Sequence, residues 1–314
     1  MKNRTVGILF VAVLGWAGCG SDSSDDEGLG GFRRVGGLPH VQSLGAVWSF
    51  GPDDVWLTAE AGRLLHFDGS VWTETQLETS AMMVDIWAFA PDNIWMVGGE
   101  HLARYDGVTW QVTAPRDQQP GIEELAGIWG SSSQDIWVVG SQSTVGRWDG
   151  SAWTRHIAAG PENSKVWGSG PNDVYVLGMS SVVRWNGAAF EEVEPEGFGG
   201  WWEGVWGFGP SDVWLTDGSG RVAHFNGAGW SVLELDFIAE AGVLWGRAPK
   251  DLWGVGTPGG ILHYNGSWRE VGHQKIGSPY LRMFTDVHGS DQGDVWIVGT
   301  ELGEKGAAAQ LYRR

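Results

Sequence analysis

A tryptophan returns along this chain at intervals close to 40 residues, and this period constrains the fold more than any other feature. The first series is Trp48, Trp87, Trp129, Trp167, Trp206 and Trp245, with His288 in the seventh place, and its intervals are 39, 42, 38, 39, 39 and 43 residues. A second aromatic residue follows each member after eight residues: Trp56, Trp95, Trp137, Tyr175, Trp214, Trp253 and Trp296. A period of this length is that of one four-stranded propeller blade. The sequence therefore predicts an all-β, seven-bladed β-propeller of four-stranded antiparallel blades.

Two turn signals recur at fixed places in the copies. Asp or Asn stands two residues before the second aromatic residue in all seven copies, which is what a structural turn requires and a single active site does not. Six copies have an Asp-Gly or Asn-Gly pair near their end, such as Asp68-Gly69 and Asn226-Gly227. These pairs favour two-residue hairpin corners in which both residues adopt positive φ. We expect such a corner between the third and fourth strands of each blade.

The two ends of the repeat region predict how the ring closes. The seventh copy ends with Ala307–Arg314, its third strand, and lacks the corner and fourth strand of the earlier copies. Phe32–Gly36, ahead of the first copy, is similar to the fourth strand Trp268–Gly272. The N-terminal strand is therefore expected to complete the seventh blade, so that no terminal sheet edge is left open.

The N-terminus has the pattern of a secretory signal. Lys2 and Arg4 precede an apolar run over 6–14, and small residues lead to Cys19, the only cysteine. This segment resembles a bacterial lipobox, with Trp16 where that motif usually has an aliphatic residue, and the resemblance implies lipidation of Cys19. Plain secretion with a free cysteine is the alternative. We expect a signal peptide over 1–18, an acidic Ser- and Gly-rich tether over 19–31 and the propeller over 32–314, with the mature chain exported and held at the bacterial envelope by its lipid alone.

The charge of the chain excludes one class of partner. The sequence has 20 basic and 38 acidic residues and a formal net charge of −18. Nucleic-acid binding requires clustered Lys and Arg, so we expect no nucleic-acid partner. The acidic balance has two interpretations: it keeps the chain soluble, or it attracts a basic partner.

The repeats resemble known propeller families. Copies such as Val166–Val174 resemble the tryptophan-rich propeller repeats of bacterial lipoproteins, and this resemblance covers residues 32–314. The stretch from Asp135 to Trp153 is similar to tectonin-type lectin repeats, and its Asp-Gly-x-x-Trp corner resembles a degenerate Asp-box of sialidase-like propellers. The resemblance implies a propeller, whereas a sugar-related activity carries over only weakly because one fold serves many functions.

Candidate catalytic and metal-binding residues follow the repeat and therefore predict structure. His66, His224 and His263 stand where other copies have Arg104, Arg147 and Arg184, which indicates a surface strand position. His288 replaces an inner-strand tryptophan and is interpreted as a satisfied interior histidine. Adjacent carboxylates such as Glu123-Glu124 point to opposite faces of a strand. We expect no catalytic residues, no metal and no cofactor.

The residues that do not repeat are the candidates for binding. Nineteen of the 22 tryptophans occupy recurrent strand positions and Trp16 lies in the signal, which leaves Trp201 and Trp202 in a Gly-rich connection. Adjacent exposed aromatic residues on a loop are typical binding anchors, although one of them could instead cap the blade edge. In a meander, the variable connections emerge on one side of the disc, where binding is expected. The predicted ligand contacts are Phe198, Trp201, Trp202 and Tyr280.

These observations predict a non-catalytic, envelope-anchored protein that binds a carbohydrate or an envelope protein through the variable-loop face. Two alternatives stay open. A glycan-acting, sialidase-like enzyme requires an off-repeat cluster of carboxylates and arginines facing the channel. A structural component of an envelope assembly requires an apolar patch on the rim or a face of the disc.

Overall fold

Seven four-stranded antiparallel sheets surround a central axis in this computed structural model, which describes residues 29–158, 162–196, 201–235, 242–273, 278, 280–303 and 306–314. The predicted signal peptide, Cys19, Phe198 and the part of the predicted tether before Leu29 lie outside the described residues. The seven-bladed all-β prediction is confirmed.

The strands are numbered in chain order. The strand that precedes the first copy and the strands of blades 1 to 3 are β1 (Arg33–Arg34), β2 (Leu44–Gly51), β3 (Asp54–Ala59), β4 (Arg63–Phe67), β5 (Trp72–Gln76), β6 (Asp85–Ala90), β7 (Asn93–Gly98), β8 (His101–Tyr105), β9 (Trp110–Thr113), β10 (Leu125–Ser132), β11 (Asp135–Gly140), β12 (Thr144–Trp148) and β13 (Trp153–Ile157). The strands of blades 4 to 7 are β14 (Asn163–Gly170), β15 (Asp173–Gly178), β16 (Val182–Trp185), β17 (Phe190–Glu192), β18 (Trp202–Gly209), β19 (Asp212–Asp217), β20 (Arg221–Phe225), β21 (Trp230–Glu234), β22 (Val243–Ala248), β23 (Asp251–Gly256), β24 (Gly260–Tyr264), β25 (Trp268–Gly272), β26 (Leu281–Gly289), β27 (Val295–Gly303) and β28 (Gly306–Arg313). Two short 3-10 turns cover Glu60–Gly62 and Pro115–Asp117.

Blade 7 contains both ends of the propeller, as predicted. Its strand order is β1-β28-β27-β26, and β1 pairs antiparallel with β28 through Arg33↔Arg313 and Arg34↔Tyr312. Just before β1, Phe32 is buried and packs edge-to-face on Trp253 of blade 6, with ring centroids 5.5 Å apart. The N-terminal segment therefore completes one blade and also packs against the core of the next.

The hydrophobic core lies between neighbouring blades. The second strand of each blade is almost wholly buried because a neighbouring blade covers each of its two faces. One example is β11, which is buried over its full length. Aromatic rings supply much of this buried area: Trp137 is fully buried and lies 5.6 Å from Trp185 of blade 4. The second series of aromatic residues thus joins blades, as its recurrence indicates.

The corners between third and fourth strands differ from the prediction in one respect. Gly69 has φ +88°, but Asp68 is not among the residues with positive φ, and the loop closes through the Asp68 N–H and the Val71 carbonyl. The Asp68 carboxylate accepts hydrogen bonds from the backbone N–H groups of Ser70 and Val71, each at 2.9 Å. The prediction of two-residue corners with two positive φ values is therefore wrong. The side chain stabilises a longer loop by accepting these bonds.

The recurrent Asp or Asn before the second aromatic residue is structural, but its partners are side chains. Asp212 Oδ1 accepts hydrogen bonds from the indole N–H of Trp214 at 2.9 Å and pairs with His224 Nε2 at 2.8 Å. Asp251 repeats this arrangement with Trp253 and His263. The carboxylate thus fixes the second and third strands of a blade to one another.

Candidate functional site

The antiparallel meander gives the disc two unlike faces. Connections between strands one and two, and between strands three and four, emerge together on what we call the corner face. Connections between strands two and three, and from each blade to the next, emerge on the opposite side, which we call the loop face. The loop face has the less regular connections, and loops of this kind are where binding residues concentrate.

The two tryptophans predicted as adjacent exposed anchors have different environments. Trp201 directly precedes β18 on the loop face and is 65% exposed. Trp202 begins β18, is only 2% exposed, and directs its indole N–H towards Glu194 Oε1 at 3.3 Å. The expectation of an exposed ring is wrong for Trp202, because successive residues at the start of a strand point to opposite faces. Its ring is part of the core between blades 4 and 5.

Tyr280 precedes the inner strand of blade 7, also on the loop face, and is 45% exposed. Its ring lies against Gly303 of β27, so closely that a Cβ at this glycine would come within 2.4 Å of the ring. Blade 6 separates Tyr280 from Trp201 around the ring, so the structure does not join the two into one cluster. Their role as ligand contacts stays a prediction.

The first series of aromatic residues surrounds the central channel. Trp48 stacks on His288 with centroids 4.1 Å apart and meets Trp87 edge-to-face at 5.3 Å. On the other side of His288, Trp245 lies 5.2 Å from the imidazole. These rings bring the inner strands of neighbouring blades together and also line a cavity of about 70 Å³. Drug-sized ligand pockets usually have volumes of about 300–1,000 Å³, so the channel is much smaller than a typical ligand pocket.

Besides His288, three ionisable residues line this channel, and none of them is among the site residues predicted from the sequence. Asp85, Lys165 and Asp286 each stand two residues before the aromatic position of the first series. The other four blades have Ala46, Gly127, Gly204 and Val243 at this place. A position that changes from blade to blade inside an otherwise repeated strand was the signal that would have identified them. Since the inner strands run from the loop face to the corner face, the three residues lie on the loop-face side of the aromatic ring.

Both channel carboxylates connect neighbouring blades. Asp286 accepts a hydrogen bond from its neighbour Val287 N–H and a second from Val47 N–H of blade 1, each at 2.9 Å. Asp85 makes the same pair of bonds with Ile86 N–H and with Ile128 N–H of blade 3, also at 2.9 Å. Each carboxylate therefore closes one interface between inner strands.

The channel perturbs the ionisation of these groups. Burial raises the pKa of Asp286 to about 7, with Lys165 opposing the rise and the negative charge of Asp85 adding to it. Burial also raises the pKa of Asp85, against the effects of Lys165 and the two N–H bonds. Both carboxyl groups therefore keep their protons to a higher pH than an ordinary aspartate does, because the pKa of each is raised.

His288 is a satisfied interior histidine, as interpreted from the sequence. Its Nδ1 accepts a hydrogen bond from Ser49 N–H at 3.1 Å, and burial lowers its pKa to about 3. Ser49 Oγ in turn donates to Asp294 Oδ2 at 2.5 Å. These bonds, with the one from Val47 to Asp286, form a polar set that joins blade 7 to blade 1, where the ring closes.

The histidines and arginines of the third strands are not simple surface residues. His66 stacks on Trp56 with centroids 4.0 Å apart and bonds Asp54 Oδ1 at 2.9 Å, and its side chain is only 29% exposed. Arg147 takes the same place in blade 3, where its guanidinium lies 5.0 Å from the Trp137 ring centroid. The interpretation as surface strand positions is corrected: the position holds a flat, hydrogen-bonding group between an indole and a carboxylate. Within the described part of the chain, no three metal-ligating side chains come together, and no helix is long and apolar enough to cross a membrane.

Comparisons with known proteins place the fold among β-propellers of known structure, but assign no family. No protein-family model matches the chain, and no curated protein matches it. The structure of YCF48 bound to D1 peptide is similar, with a TM-score of 0.67 and 18% identity, and the match covers 90% of this chain and 96% of that chain. YCF48 from Cyanidioschyzon merolae gives 0.66 and 14%, covering 90% and 98%. The WD40 β-propeller domain of Doa1 gives 0.69 and 10%, covering 90% and 96%. At these identities the likeness establishes the fold alone.

Proposed function

We propose that this chain is a non-catalytic binding protein that recognises a segment of a protein partner on the loop face of its propeller. The observation that carries the proposal is Trp201, which is 65% exposed at the entry to an inner strand while its neighbour Trp202 is buried. A large aromatic side chain left in water on a non-repeating connection is typical of a binding hot spot. The solved structure of YCF48 with a peptide supports a peptide over a sugar as the ligand class for this fold.

The channel supports a binding function over a glycan-acting one. It does contain the off-repeat carboxylates that the enzyme alternative requires, but its described lining residues include a lysine and no arginine. Asp85 and Asp286 already accept two backbone hydrogen bonds each. The cavity of about 70 Å³ is small for a ligand site, and the bonds of these carboxylates to neighbouring blades support a structural role for them.

The cellular location of the protein is part of the same proposal. We propose that Cys19 is lipidated and that the propeller is tethered to the bacterial envelope, because the sequence before it has the pattern of a lipoprotein signal. Mass spectrometry of the membrane fraction tests this: we expect a diacylated Cys19 peptide, and its absence together with soluble secretion of the chain would remove the anchor from the proposal.

The test of partner binding compares two exposed residues on opposite faces. Peptides are selected from a displayed random library on the full chain, and a glycan array is probed in parallel. We expect selected peptides to lose at least about 10-fold in affinity for Trp201→Ala, because exposed tryptophans at binding sites are strong hot spots. Val108→Ala is the matched control, since Val108 is 68% exposed on a corner-face loop. Unchanged peptide binding by Trp201→Ala, or binding to glycans alone, would refute the proposal.

A further inference from the structure

The strands of blade 7 extend beyond the disc on the loop face. β27 has nine residues and β28 has eight, whereas the second strands of the other blades have six and their third strands four or five. The extra pairs include Leu302↔Ala307 and Gly303↔Gly306. The end of this hairpin thus projects from the face on which Trp201 and Tyr280 are exposed.

The outer edge of β28 is only partly covered. β1 pairs with Arg313 and Tyr312, and Val35 N–H then donates to the Leu311 carbonyl at 2.8 Å. Beyond this bond, Gly37 has φ +80°, and residues 36–43 form no backbone hydrogen bond to β28. Within the described residues, Gly306–Gln310 has no backbone hydrogen bond on its outer side, although β27 pairs with it on the inner side.

The register shows which groups face outward from this edge. Arg314 and Val295 exchange both of their backbone hydrogen bonds, so the alternation of an antiparallel ladder directs every second residue of β28 towards β27. The intervening residues, Ala307 and Ala309, direct N–H and C=O outward, in line with Leu311. Ala307 is exposed, whereas Ala309 is half-buried against the core cluster of blades 7 and 1, so Ala307 presents the more accessible of these backbone groups.

Apolar side chains flank the open edge. Leu281, Leu302 and Ala307 lie opposite one another across three strands and therefore share one face of the sheet. Leu281 is 40% exposed and Leu302 is 38% exposed. The edge thus combines unpaired backbone groups with apolar surface, which natural proteins usually avoid because it invites another strand.

We propose that the open edge Gly306–Gln310 binds an extended peptide segment with alternating apolar residues, contributed by a protein partner and added as a further strand to blade 7. Main-chain hydrogen bonds to Ala307 and Ala309 supply affinity, and alternate partner side chains contact Leu302 and Ala307. The inference rests on the proposed function and names the kind of segment that is recognised.

The size of the edge favours a peptide over a second copy of the chain. Five residues span about 17 Å at 3.4 Å per residue. Pairing along so short an edge buries far less than the roughly 1,200 Å² at the lower limit of stable protein interfaces. A flexible peptide that uses the same edge can make further contacts across the loop face, whereas two rigid discs meet only at their projecting hairpins.

The test removes one outward donor and leaves the rest of the sheet in place. A displayed library of seven-residue peptides with Val, Ile, Thr or Tyr at alternate positions is selected on the full chain. We expect Ala307→Pro to weaken the selected peptides at least 10-fold and Ala307→Thr, which retains the N–H, to bind within about 2-fold of the parent. Because the lost N–H faces away from β27, Ala307→Pro should fold, and its circular dichroism is checked before binding.

A second measurement locates the added strand. Amide hydrogen exchange should slow at Ala307 and Ala309 when peptide binds. Equal affinity for Ala307→Pro and the parent, protection elsewhere only, or a dimer by sedimentation would overturn the proposal. Peptides that weaken with Trp201→Ala but not with Ala307→Pro would refute the strand addition and leave the proposed function standing, whereas peptides insensitive to both substitutions would refute both.

Discussion

Replacing Asp286 with Asn should change how the stability of the propeller depends on pH. The pKa of this carboxyl is raised from 3.8 to about 7. Well below pH 3.8 the folded and unfolded states both hold the proton. As pH rises from 4 to 7 the unfolded chain loses its proton while the folded chain retains it, so unfolding becomes more favourable, and the loss of stability is complete above pH 7.

The magnitude follows from the shift. A tenfold change in proton affinity is worth about 1.4 kcal/mol, so the full shift of Asp286 corresponds to about 4 kcal/mol. The side chain is only half-buried, so solvent partly screens its charge, and we therefore expect about 2–4 kcal/mol. The amide of Asp286→Asn has one acceptor oxygen where the carboxylate has two, so one bond, to Val47 or Val287, is lost at a pH-independent cost of about 1–3 kcal/mol.

The assay is urea unfolding of parent and variant at pH 4.5, 6 and 8. We expect the variant to be less stable than the parent at pH 4.5 and to recover by about 2–4 kcal/mol relative to it at pH 8. The difference in unfolding free energy between the two proteins is the appropriate quantity, because the titration of His288 changes stability in the opposite direction over part of this pH range.

A second variant, Lys165→Met, removes the charge that lowers the pKa of Asp286 and should enlarge the loss of stability between pH 4.5 and 8. Parallel pH profiles for Asp286→Asn and the parent would refute the reasoning.

Three further predictions test other parts of the structure. The lowered pKa of His288 means that its contribution to stability is present above pH 6.5 and is lost as pH falls towards 3, so His288→Gln should flatten the acid limb of the unfolding profile; an unchanged limb would contradict this. Phe32→Ala should cost about 3–5 kcal/mol in unfolding free energy, because the ring is 2% exposed and packs on Trp253; a loss below 1 kcal/mol would show that the N-terminal segment is not part of the closed ring. Trp202→Ala should lower the melting temperature by many degrees while Trp201→Ala leaves it nearly unchanged, and similar melting temperatures for the two variants would contradict their assigned environments.

The repeated part of the molecule is predictable from the sequence because every copy has the same pattern of residues. The spacing of the aromatic residues predicts seven blades, and the similarity of Phe32–Gly36 to Trp268–Gly272 predicts how the ring closes. The pairing of β1 with β28 confirms the latter. The period predicts the fold reliably because a departure in a single copy, such as His288 in place of a tryptophan, leaves the pattern of the other six unchanged.

The errors concern residues whose surroundings come from another blade. The sequence predicts an exposed loop position for Trp202, whereas its burial depends on where β18 begins and on Glu194 of the preceding blade. The channel residues Asp85, Lys165 and Asp286 come from three blades and meet only when the ring is closed. A pattern within one blade cannot predict contacts among residues of three blades. Comparing the blades position by position would have identified these residues as exceptions, although it would not have shown that they share one channel.

The closing interface has a consequence for how the molecule acquires its shape. Val47 and Asp286, which bond across this interface, are 239 residues apart in the chain, and β1 must meet a strand made from the last residues of the sequence. Six blades consist of consecutive strands and can form during synthesis. The seventh sheet is complete only when β1 pairs with β28 near the end of the chain. Contacts of such long range form slowly. Until they do, β1 and the outer edge of β28 stay unpaired, and a chaperone that shields these strands would have its greatest effect at this late stage.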